Sequence, residues 1–291
     1  MASSLPTVSA PTVSIVIPAY NEEDIIRSCV LAALHQTVAA SEIIVVDNKS
    51  TDSTAAIVAA LQGSYPDAPL KYFRQDAEQG LVPTRNFGLD RAHGDVIGRI
   101  DADSVLEPNW VEAVQVAFSD PEVAASTGPV IYYDMPLRRI GHKADDTMRR
   151  AMIAIAREYR LLFGSNMAMR ASAWREIRSE VCRDYDDEFH EDIDLSIHLH
   201  EAGLKVVYSS DMVAGMSMRR IDDSPREYYN YVMRFERTYQ SHNVRNIALR
   251  APMWLFLSAY PGLKAVRKNQ ARNARSLTQR AEALGHSEAL N

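Results

Sequence analysis

The sequence has little cysteine, no long apolar run and no secretory leader. Only two of its 291 residues are cysteine, Cys29 and Cys182, which fits reduced thiols in a reducing compartment better than a disulfide framework. No apolar run approaches the roughly 18 residues that span a bilayer, and residues 1–11 lack the basic and apolar regions of a secretory signal. We therefore expect a flexible leader over 1–11 and a cytoplasmic protein that touches at most the inner face of a membrane.

The sequence also lacks an excess of basic charge and the glycine-rich loops that hold phosphate. It has 32 Lys and Arg against 38 Asp and Glu, for a formal net charge of −6. The net negative charge of the chain therefore does not attract the phosphate backbone of a nucleic acid, and we expect no nucleic-acid partner. Neither a GxGxxG motif nor a GKS or GKT loop occurs, which argues against a dinucleotide dehydrogenase and a P-loop NTPase.

What the first hundred or so residues do contain is an alternation of apolar β-branched runs and helical segments. Strands are predicted over "TVSIVIPAY", "EIIVVD", "LKYFRQ" and "DVIGRIDAD". Helices are predicted between them, the first capped by Asn21 and the third closed by Gly94. Helical crossovers imply parallel strands, so the fold class we expect is α/β, with a mostly parallel sheet covered by helices on both faces.

The second half of the chain has a different character. Residues 136–162 are predicted to be a long helix, "VAASTGPVIYY" a strand and "HEDIDLSIHLHEAG" a helix. We predict two units, an α/β domain over 12–222 and a helical C-terminal extension over 223–291 that ends in a basic tail.

Acidic clusters follow three of the four predicted strands. "PAYNEE" comes after the first, "DNKSTD" after the second and "DADS" after the fourth, and the carboxyl ends of parallel strands meet at one edge of a sheet. Asp101 and Asp103 lie two residues apart at a strand end and point the same way. Such an edge accepts a diphosphate only with a divalent cation, so we expect Mg²⁺ or Mn²⁺ there. For the two acids alone, a solvated turn is the alternative.

Five segments, in this order, closely resemble the family 2 glycosyltransferases: "VSIVIPAYNEE", "IIVVDNKSTDST", "GLVPTRNFGLDRAHGDVIGRIDADS", "GSNMAMR" and "HEDIDLS". The resemblance implies a GT-A fold, which is Rossmann-like, mixed and mostly parallel. It also implies transfer of a hexosyl group from a nucleoside-diphosphate sugar, UDP ahead of GDP. The acceptor would be a sugar, a glycan or a lipid-linked molecule, in the synthesis of a cell-envelope polysaccharide or glycolipid.

The resemblance also assigns residues to the base and ribose of the donor. The segment that lines them in the family is matched by Pro18, Ala19, Tyr20 and Glu22. Asp47 matches the acid that binds the base, and Asn48 stands where the family often has a second aspartate. Asp52 matches the acid of the "STD" turn, for which a helix N-cap is an equal alternative.

The diphosphate and the metal are assigned in the same way. Arg85 and Asn86 match a pair near the donor, where Arg85 is expected on a phosphate or on Asp101. A surface ion pair is the alternative for Arg85. Asp101 would contact ribose and metal, Ala102 would line the donor, and Asp103 would hold the metal through the diphosphate.

Glu191 and Asp192 of "HEDIDLS" match the catalytic acid pair of the family. In an inverting transfer, the diphosphate leaves one face of the anomeric carbon. The acceptor hydroxyl attacks the other face and must lose its proton to a base. Asp192 is therefore our candidate for the general base, with Glu191 in support, and a helix-capping pair is the alternative.

Part of the sequence departs from the family. Many relatives carry a metal-binding histidine soon after the strand that follows the "ED" helix, whereas "VAGMSMRRI" has none and offers Arg219 or Arg220 to phosphate instead. Three other histidines are predicted to lie on a helix face: His190, His198 and His200. A nucleotidyltransferase and a catalytically silent sugar-nucleotide-binding module are the alternatives for function.

Near the C-terminus, the apolar stretch "APMWLFLSAYPGL", interrupted by Pro261, precedes a segment rich in basic residues. This combination suits peripheral contact with an anionic membrane through residues 251–280, and hence a lipid-linked acceptor. Packing against the catalytic domain or against the partner in a homodimer is the alternative.

Overall fold

The computed structural model describes residues 9–156, 159–184, 188–245 and 247–288, the last range with side chains as far as residue 269. Residues 1–8 of the predicted leader and the side chains of the tail beyond residue 269 lie outside it. The strands are, in chain order, β1 (Val13–Ala19), β2 (Glu42–Asp47), β3 (Leu70–Arg74), β4 (Val96–Arg99), β5 (Val105–Leu106), β6 (Val123–Thr127), β7 (Val130–Tyr132), β8 (Met167–Arg170), β9 (Lys205–Tyr208) and β10 (Ala214–Met216). The helices are α1 (Ile26–Leu34), α2 (Thr54–Ser64), α3 (Leu81–Leu89), α4 (Trp110–Ala117), α5 (Arg138–Ala156), α6 (Ala171–Ile177), α7 (Glu191–Glu201), α8 (Pro225–Ser241) and α9 (Ala251–Glu288).

Within these residues, seven strands form a mixed sheet in the order β3-β2-β1-β4-β8-β6-β9. The pairs along β3-β2-β1-β4 are parallel, as is the pair of β6 with β9. In contrast, β8 runs antiparallel to both of its neighbours. A smaller sheet has the order β5-β10-β7. The predicted α/β class, with a mixed and mostly parallel sheet, is confirmed.

The central strands are apolar on both faces because helices lie on both sides of the sheet. Every residue of β1 and of β2 is buried, which is the pattern of parallel strands covered twice. Ile15 of β1 belongs to a core shared with α1 and α4, and Val16 belongs to a second core shared with α6. At Gly98 the sheet admits the ring of Trp110, because a Cβ on that glycine would lie 2.3 Å from the indole.

Four local predictions differ from the structure. The long helix predicted over residues 136–162 spans Arg138–Ala156, and residues 159–162 are not helical. Asn21 is not the N-cap of α1: its φ is 53°, its side-chain oxygen accepts the Thr51 N–H at 2.8 Å, and the helix begins five residues later. Helix α3 ends at Leu89, well before Gly94. The strand predicted over "VAASTGPVIYY" divides at Gly128 into β6 and β7, which belong to different sheets. A Cβ at Gly128 would lie 2.0 Å from the Met212 carbonyl oxygen, so the chain turns where only glycine fits.

The C-terminal helices share a third core with α7. Helix α8 begins with a capping box of Ser224 and Glu227, and Pro225 occupies its first turn. Ile193 of α7 clusters with side chains of α8 and α9, among them Val232 and Met253. Helix α9 continues through the proline that interrupts its apolar stretch. None of the helices in the described part of the chain is long and apolar enough to cross a membrane.

Candidate active site

The loops that follow β1, β2 and β4 meet at the carboxyl edge of the larger sheet. Ala19 pairs with Asp47 at the ends of β1 and β2, and the Asn48 N–H donates to the Ala19 carbonyl oxygen at 2.9 Å. On the other side of β1, the Ile100 N–H donates to the Val16 carbonyl oxygen at 3.2 Å. This register brings the "PAYNEE", "DNKSTD" and "DADS" segments together, as the sheet-edge rule predicts.

Asp52 connects the first two of these loops. Its carboxylate accepts the Glu23 N–H and the Thr54 N–H, each at 3.0 Å. Burial opposes ionisation of Asp52, but its hydrogen bonds with Thr54 and Glu23 together hold the pKa of the carboxyl below its ordinary value. The N-cap position of α2 itself belongs to Ser53. Asp52 therefore orders the loop in the structure, and its contact with a donor stays a prediction.

The buried pair Asp47 and Asn48 organises the end of β2. Asp47 accepts the hydroxyl of Tyr72 at 2.6 Å and the Ser50 N–H at 2.9 Å. The Asn48 amide donates to the carbonyl oxygens of Gln75 and Glu78, both at 2.8 Å, and its oxygen accepts a further N–H from the same loop. An ionised aspartate has no N–H to donate, so this loop requires the amide at position 48.

The two aspartates that follow β4 have opposite surroundings. Asp101 is paired with the Arg85 guanidinium, and the charges of Arg85 and Arg99 hold its pKa below the ordinary value although burial opposes this. For Asp103, burial and then the Asp101 charge raise the pKa to about 6. Its nearest cation is Arg219, whose Nε lies 3.0 Å from Asp103 Oδ2.

Arg219 connects Asp103 to the loop after β1. Its two terminal nitrogens donate to the Glu22 carboxylate at 3.2 and 3.0 Å. About half of the Arg219 side chain is exposed, so the contact is open to solvent. The predicted phosphate-binding candidates Arg219 and Arg220 therefore differ, because Arg219 contacts Glu22 and Asp103 of the acidic edge, whereas Arg220 lies beside Asp223.

A row of alternating charges joins this edge to the start of α7. Arg85, which is 8% exposed, is paired with Asp101 and also donates to Glu191 Oε2 at 2.6 Å. Glu191 Oε1 contacts the guanidinium of Arg99. The order Asp101, Arg85, Glu191, Arg99 connects a residue of the donor-side loop with the predicted catalytic helix. The structure thus favours the inward ion pair for Arg85 over a pair on the surface.

Arg99 is a site residue that the sequence analysis missed. It is fully buried at the end of β4, and burial, followed by the nearby charge of Arg85, lowers its pKa to about 9. A buried charge is tolerated only beside compensating charges, and Glu191 provides one. The available signal was an arginine in an otherwise apolar strand, two residues before Asp101.

Asp192 lies next to Glu191 at the start of α7 and has different partners. Its Oδ2 accepts the Gly164 N–H at 2.8 Å, and its Oδ1 accepts the N–H of Ile193 at 3.0 Å. A Cβ at Gly164 would lie 2.4 Å from Arg99 Nη2 and 3.2 Å from Asp192 Oδ2, so any larger residue would displace the buried Arg99 guanidinium. Both oxygens of Glu191 contact arginines, whereas those of Asp192 are held by backbone N–H groups.

The remaining predicted residues lie around the same edge. Pro18 is buried near the end of β1, and the side chain of Tyr20, just beyond it, is 53% exposed. Ala102 is buried between the two aspartates of the "DAD" segment. Asn86 is half-buried on α3, next to Arg85. Their contacts with a donor stay predictions.

The acidic edge suits a divalent metal. Asp101 and Asp103 offer carboxylate oxygens, the ligands that Mg²⁺ and Mn²⁺ prefer. Burial is the main reason that the pKa of Asp103 is raised, and repulsion from the Asp101 charge adds to it, against the opposing charge of Arg219. A cation would relieve this repulsion, so the donor set fits the predicted metal.

Comparisons with known proteins identify the family of this chain. The family model described as "Glycosyl transferase family 2" matches residues 14–178. The glycosyltransferase AglE of Haloferax volcanii is 34% identical over 108 residues, which are 36% of this chain and 35% of that protein. The matched stretch thus spans about a third of the length of this curated relative.

Solved structures extend the likeness over nearly the whole chain. The mannosyltransferase PcManGT of Pyrobaculum calidifontis, solved with GDP-Man and Mn²⁺, has a TM-score of 0.61 and 20% identity, and the match covers 97% of this chain and 81% of that one. Residues 1–349 of S. aureus TarS, solved with UDP, have a TM-score of 0.54 and 16% identity, with 86% and 70% of the chains covered. At these identities the structures show the fold, and the family model covers more than half of the sequence. The chain therefore belongs to glycosyl transferase family 2.

Proposed function

We propose that the protein transfers a sugar from a nucleoside-diphosphate sugar to an acceptor hydroxyl, with the help of a divalent metal and with inversion at the anomeric carbon. Uridine is the first choice of base and guanosine the second. Two structural neighbours were solved with GDP-Man and with UDP, which supports a nucleotide donor of one of these two kinds. The acceptor would be a sugar, a glycan or a lipid-linked molecule.

One observation carries the proposal: Arg85 contacts Asp101 with one nitrogen and Glu191 with another. A single guanidinium thereby spans the distance between the loop that would hold the donor diphosphate and the helix that would supply the base. In an inverting transfer, the acids that hold the donor diphosphate and the acid that serves as the base belong on opposite sides of the reacting carbon. The two ion pairs of Arg85 hold the Asp101 loop next to the first turn of α7, which contains Asp192.

The residues have distinct roles in this proposal. The acceptor oxygen forms a bond to the anomeric carbon, the bond from that carbon to the diphosphate oxygen breaks, and Asp192 takes the acceptor proton. Glu191, paired with Arg85 and Arg99, positions the first turn of α7 and does not exchange protons. The Gly164 N–H orients the Asp192 carboxylate.

Asp103 and Asp101 would hold Mn²⁺ or Mg²⁺, which when bound supplies positive charge to the leaving diphosphate. Arg219 lies where it can neutralise the same phosphates once they bind, since it already contacts Asp103 and Glu22. The other predicted donor contacts belong to the same proposal: Pro18, Ala19, Tyr20, Asp47, Asp52, Asn86 and Ala102.

The test is a thermal-shift panel of UDP, GDP, UDP-sugars, GDP-sugars and nucleoside triphosphates, each with and without Mn²⁺. A ligand that binds only the folded state raises the melting temperature by mass action. We expect a Mn²⁺-dependent rise with one base, and proton NMR of the product of that donor should show an inverted anomeric configuration. A rise with nucleoside triphosphates and release of pyrophosphate would favour a nucleotidyltransferase. A rise without turnover would favour a silent binding module.

We also propose that residues 251–280 rest on the inner face of an anionic membrane. Trp254 is 68% exposed on α9, and Leu255 and Val266 are exposed on the same helix. The division of the chain at residue 222 belongs to this proposal, because the extension would carry the membrane contact. Packing of this face in a homodimer is the alternative.

The membrane contact is tested by flotation with anionic and neutral liposomes. Trp254→Ser and Leu255→Ser should abolish flotation with anionic liposomes, whereas Val116→Ser on α4, an equally exposed apolar position, should not change it. Equal flotation of all variants would reject the contact. A change from dimer to monomer in Trp254→Ser, with no flotation of the parent, would favour the homodimer.

A further inference from the structure

A second cluster of ligand-type side chains lies on α7, away from the two acids at its start. Asp194 and His198 are one helical turn apart on α7, and His242 follows the last residue of α8. One ligand atom of each lies within 4.8 Å of the others. The mechanism proposed above uses none of these residues.

The two imidazoles converge on the same carboxylate oxygen. His242 Nε2 lies 2.8 Å from Asp194 Oδ1, and His198 Nε2 lies 3.6 Å from the same atom. Ligands held about 2.0–2.1 Å from a tetrahedral metal lie about 3.3 Å from one another. The observed separations fall on either side of that value, so a metal ion fits after small side-chain movements.

The surroundings of the cluster are those of a built site. Asp194 is 2% exposed, and its second oxygen accepts the Cys182 N–H at 2.9 Å. His198 Nδ1 lies 3.3 Å from Glu201 Oε2. A histidine that binds metal through one nitrogen commonly donates its other N–H to a carboxylate, which fixes the ring and the tautomer.

We propose that Asp194, His198 and His242 form a transition-metal site that fastens α8 to α7, with Zn²⁺ as the preferred ion. Two imidazoles and one carboxylate are a ligand set that suits zinc, whereas the all-oxygen edge at Asp101 and Asp103 suits Mg²⁺ or Mn²⁺. The ion would join α7, whose first turn contains Asp192, to the C-terminal extension, and would therefore act on stability.

The test is a Co²⁺ titration of the full chain after treatment with a chelator, followed by competition with Zn²⁺. The Asp103→Asn variant serves as the parent protein for this experiment, so that the acidic edge at Asp101 and Asp103 does not contribute to the Co²⁺ binding that is measured. We expect one equivalent of Co²⁺ with a visible absorption band typical of four ligands, displaced by Zn²⁺. Zn²⁺ should also raise the melting temperature by about 5 °C at saturation.

Added to this parent, His198→Gln and His242→Gln should each abolish the band and the shift. The matched control is His200→Gln, which changes an exposed histidine of the same helix. A band that persists in both cluster variants, or that disappears equally in the control, would contradict the site. If the cluster variants do not fold, the parent alone still decides, because failure to bind one equivalent of Co²⁺ or Zn²⁺ overturns the proposal.

Discussion

Two buried acids at opposite edges of the same sheet show how this fold separates stability from function. Glu42, at the start of β2, accepts hydrogen bonds from Lys71 Nζ and Ser14 Oγ, both at 2.6 Å, and from the His93 N–H. Burial opposes ionisation of Glu42, but these hydrogen bonds lower its pKa to about 2. Asp103, at the carboxyl edge, has a pKa raised to about 6.

The difference between these acids lies in their partners. Hydrogen-bond donors of the protein itself satisfy the carboxylate of Glu42, so this acid does not need a ligand to compensate its charge. Asp103 has another aspartate beside it and a half-exposed arginine as its nearest cation. A carboxylate that folding leaves poorly compensated is a candidate for binding a mobile ligand. The comparison predicts that substitutions at the two edges affect different properties.

The largest expected effect is on catalysis, in Asp192→Asn. Loss of the base should lower kcat by about 10²-fold to 10⁴-fold, with unchanged affinity for the nucleotide. The assay is release of nucleotide from the donor selected by the binding panel, with water or added sugars as acceptor. Full activity of Asp192→Asn together with loss of activity in Glu191→Gln would transfer the role of base to Glu191.

The next effect concerns Asp103→Asn. The substitution removes one ligand and one of the crowded negative charges, so turnover with Mn²⁺ should fall by about 10²-fold to 10³-fold. The melting temperature should stay the same or rise, because repulsion from Asp101 is relieved. A clear loss of stability without a loss of turnover would mean that this acid is a structural residue like Glu42.

The matched substitution at the other edge is Glu42→Gln. It should lower the free energy of unfolding by about 2 kcal/mol, since hydrogen bonds to a buried charged group contribute about 1.5–3 kcal/mol. Turnover per folded molecule should not change. Urea denaturation measures the free energy of unfolding, and the nucleotide-release assay measures turnover. A large drop in kcat in Glu42→Gln would contradict the assignment of Glu42 to stability and Asp103 to function.

The smallest effect is the pH dependence of that stability difference. The pKa of Glu42 is about 2 in the folded protein, against a reference value of 4.5, so its ionised form is stabilised by folding. Its contribution is fully present above pH 4.5 and is lost as the pH falls toward 2. The unfolding free energies of the parent and Glu42→Gln should therefore approach each other between pH 5 and pH 3, and a constant difference would contradict the assignment.

The sequence predicted the parts of the site that follow local rules. Apolar runs identified the strands, and the position of "DADS" after a buried run placed Asp101 and Asp103 at the carboxyl edge. The sequence could not show that Arg219 reaches Glu22, because those residues are 197 positions apart. Nor did it indicate the amide donors required at Asn48, whose partners belong to the loop after β3.

Two further features depended on tertiary packing. The close approach of Arg99 and Asp192 to Gly164 arises only in the folded chain. The cluster of Asp194, His198 and His242 joins two helices that are separated by more than twenty residues, so sequence spacing suggested only helix-face histidines. Contacts of this kind arise from packing that no short segment encodes.

The most direct test of the account is Mn²⁺ binding followed by electron paramagnetic resonance of the free ion, with UDP or GDP present. The parent chain and Glu42→Gln should each bind one Mn²⁺, and Asp103→Asn should lose that binding. This result would identify the poorly compensated acid as the metal ligand. Equal binding by all three proteins, or none by the folded parent with either nucleotide, would contradict the metal–nucleotide site.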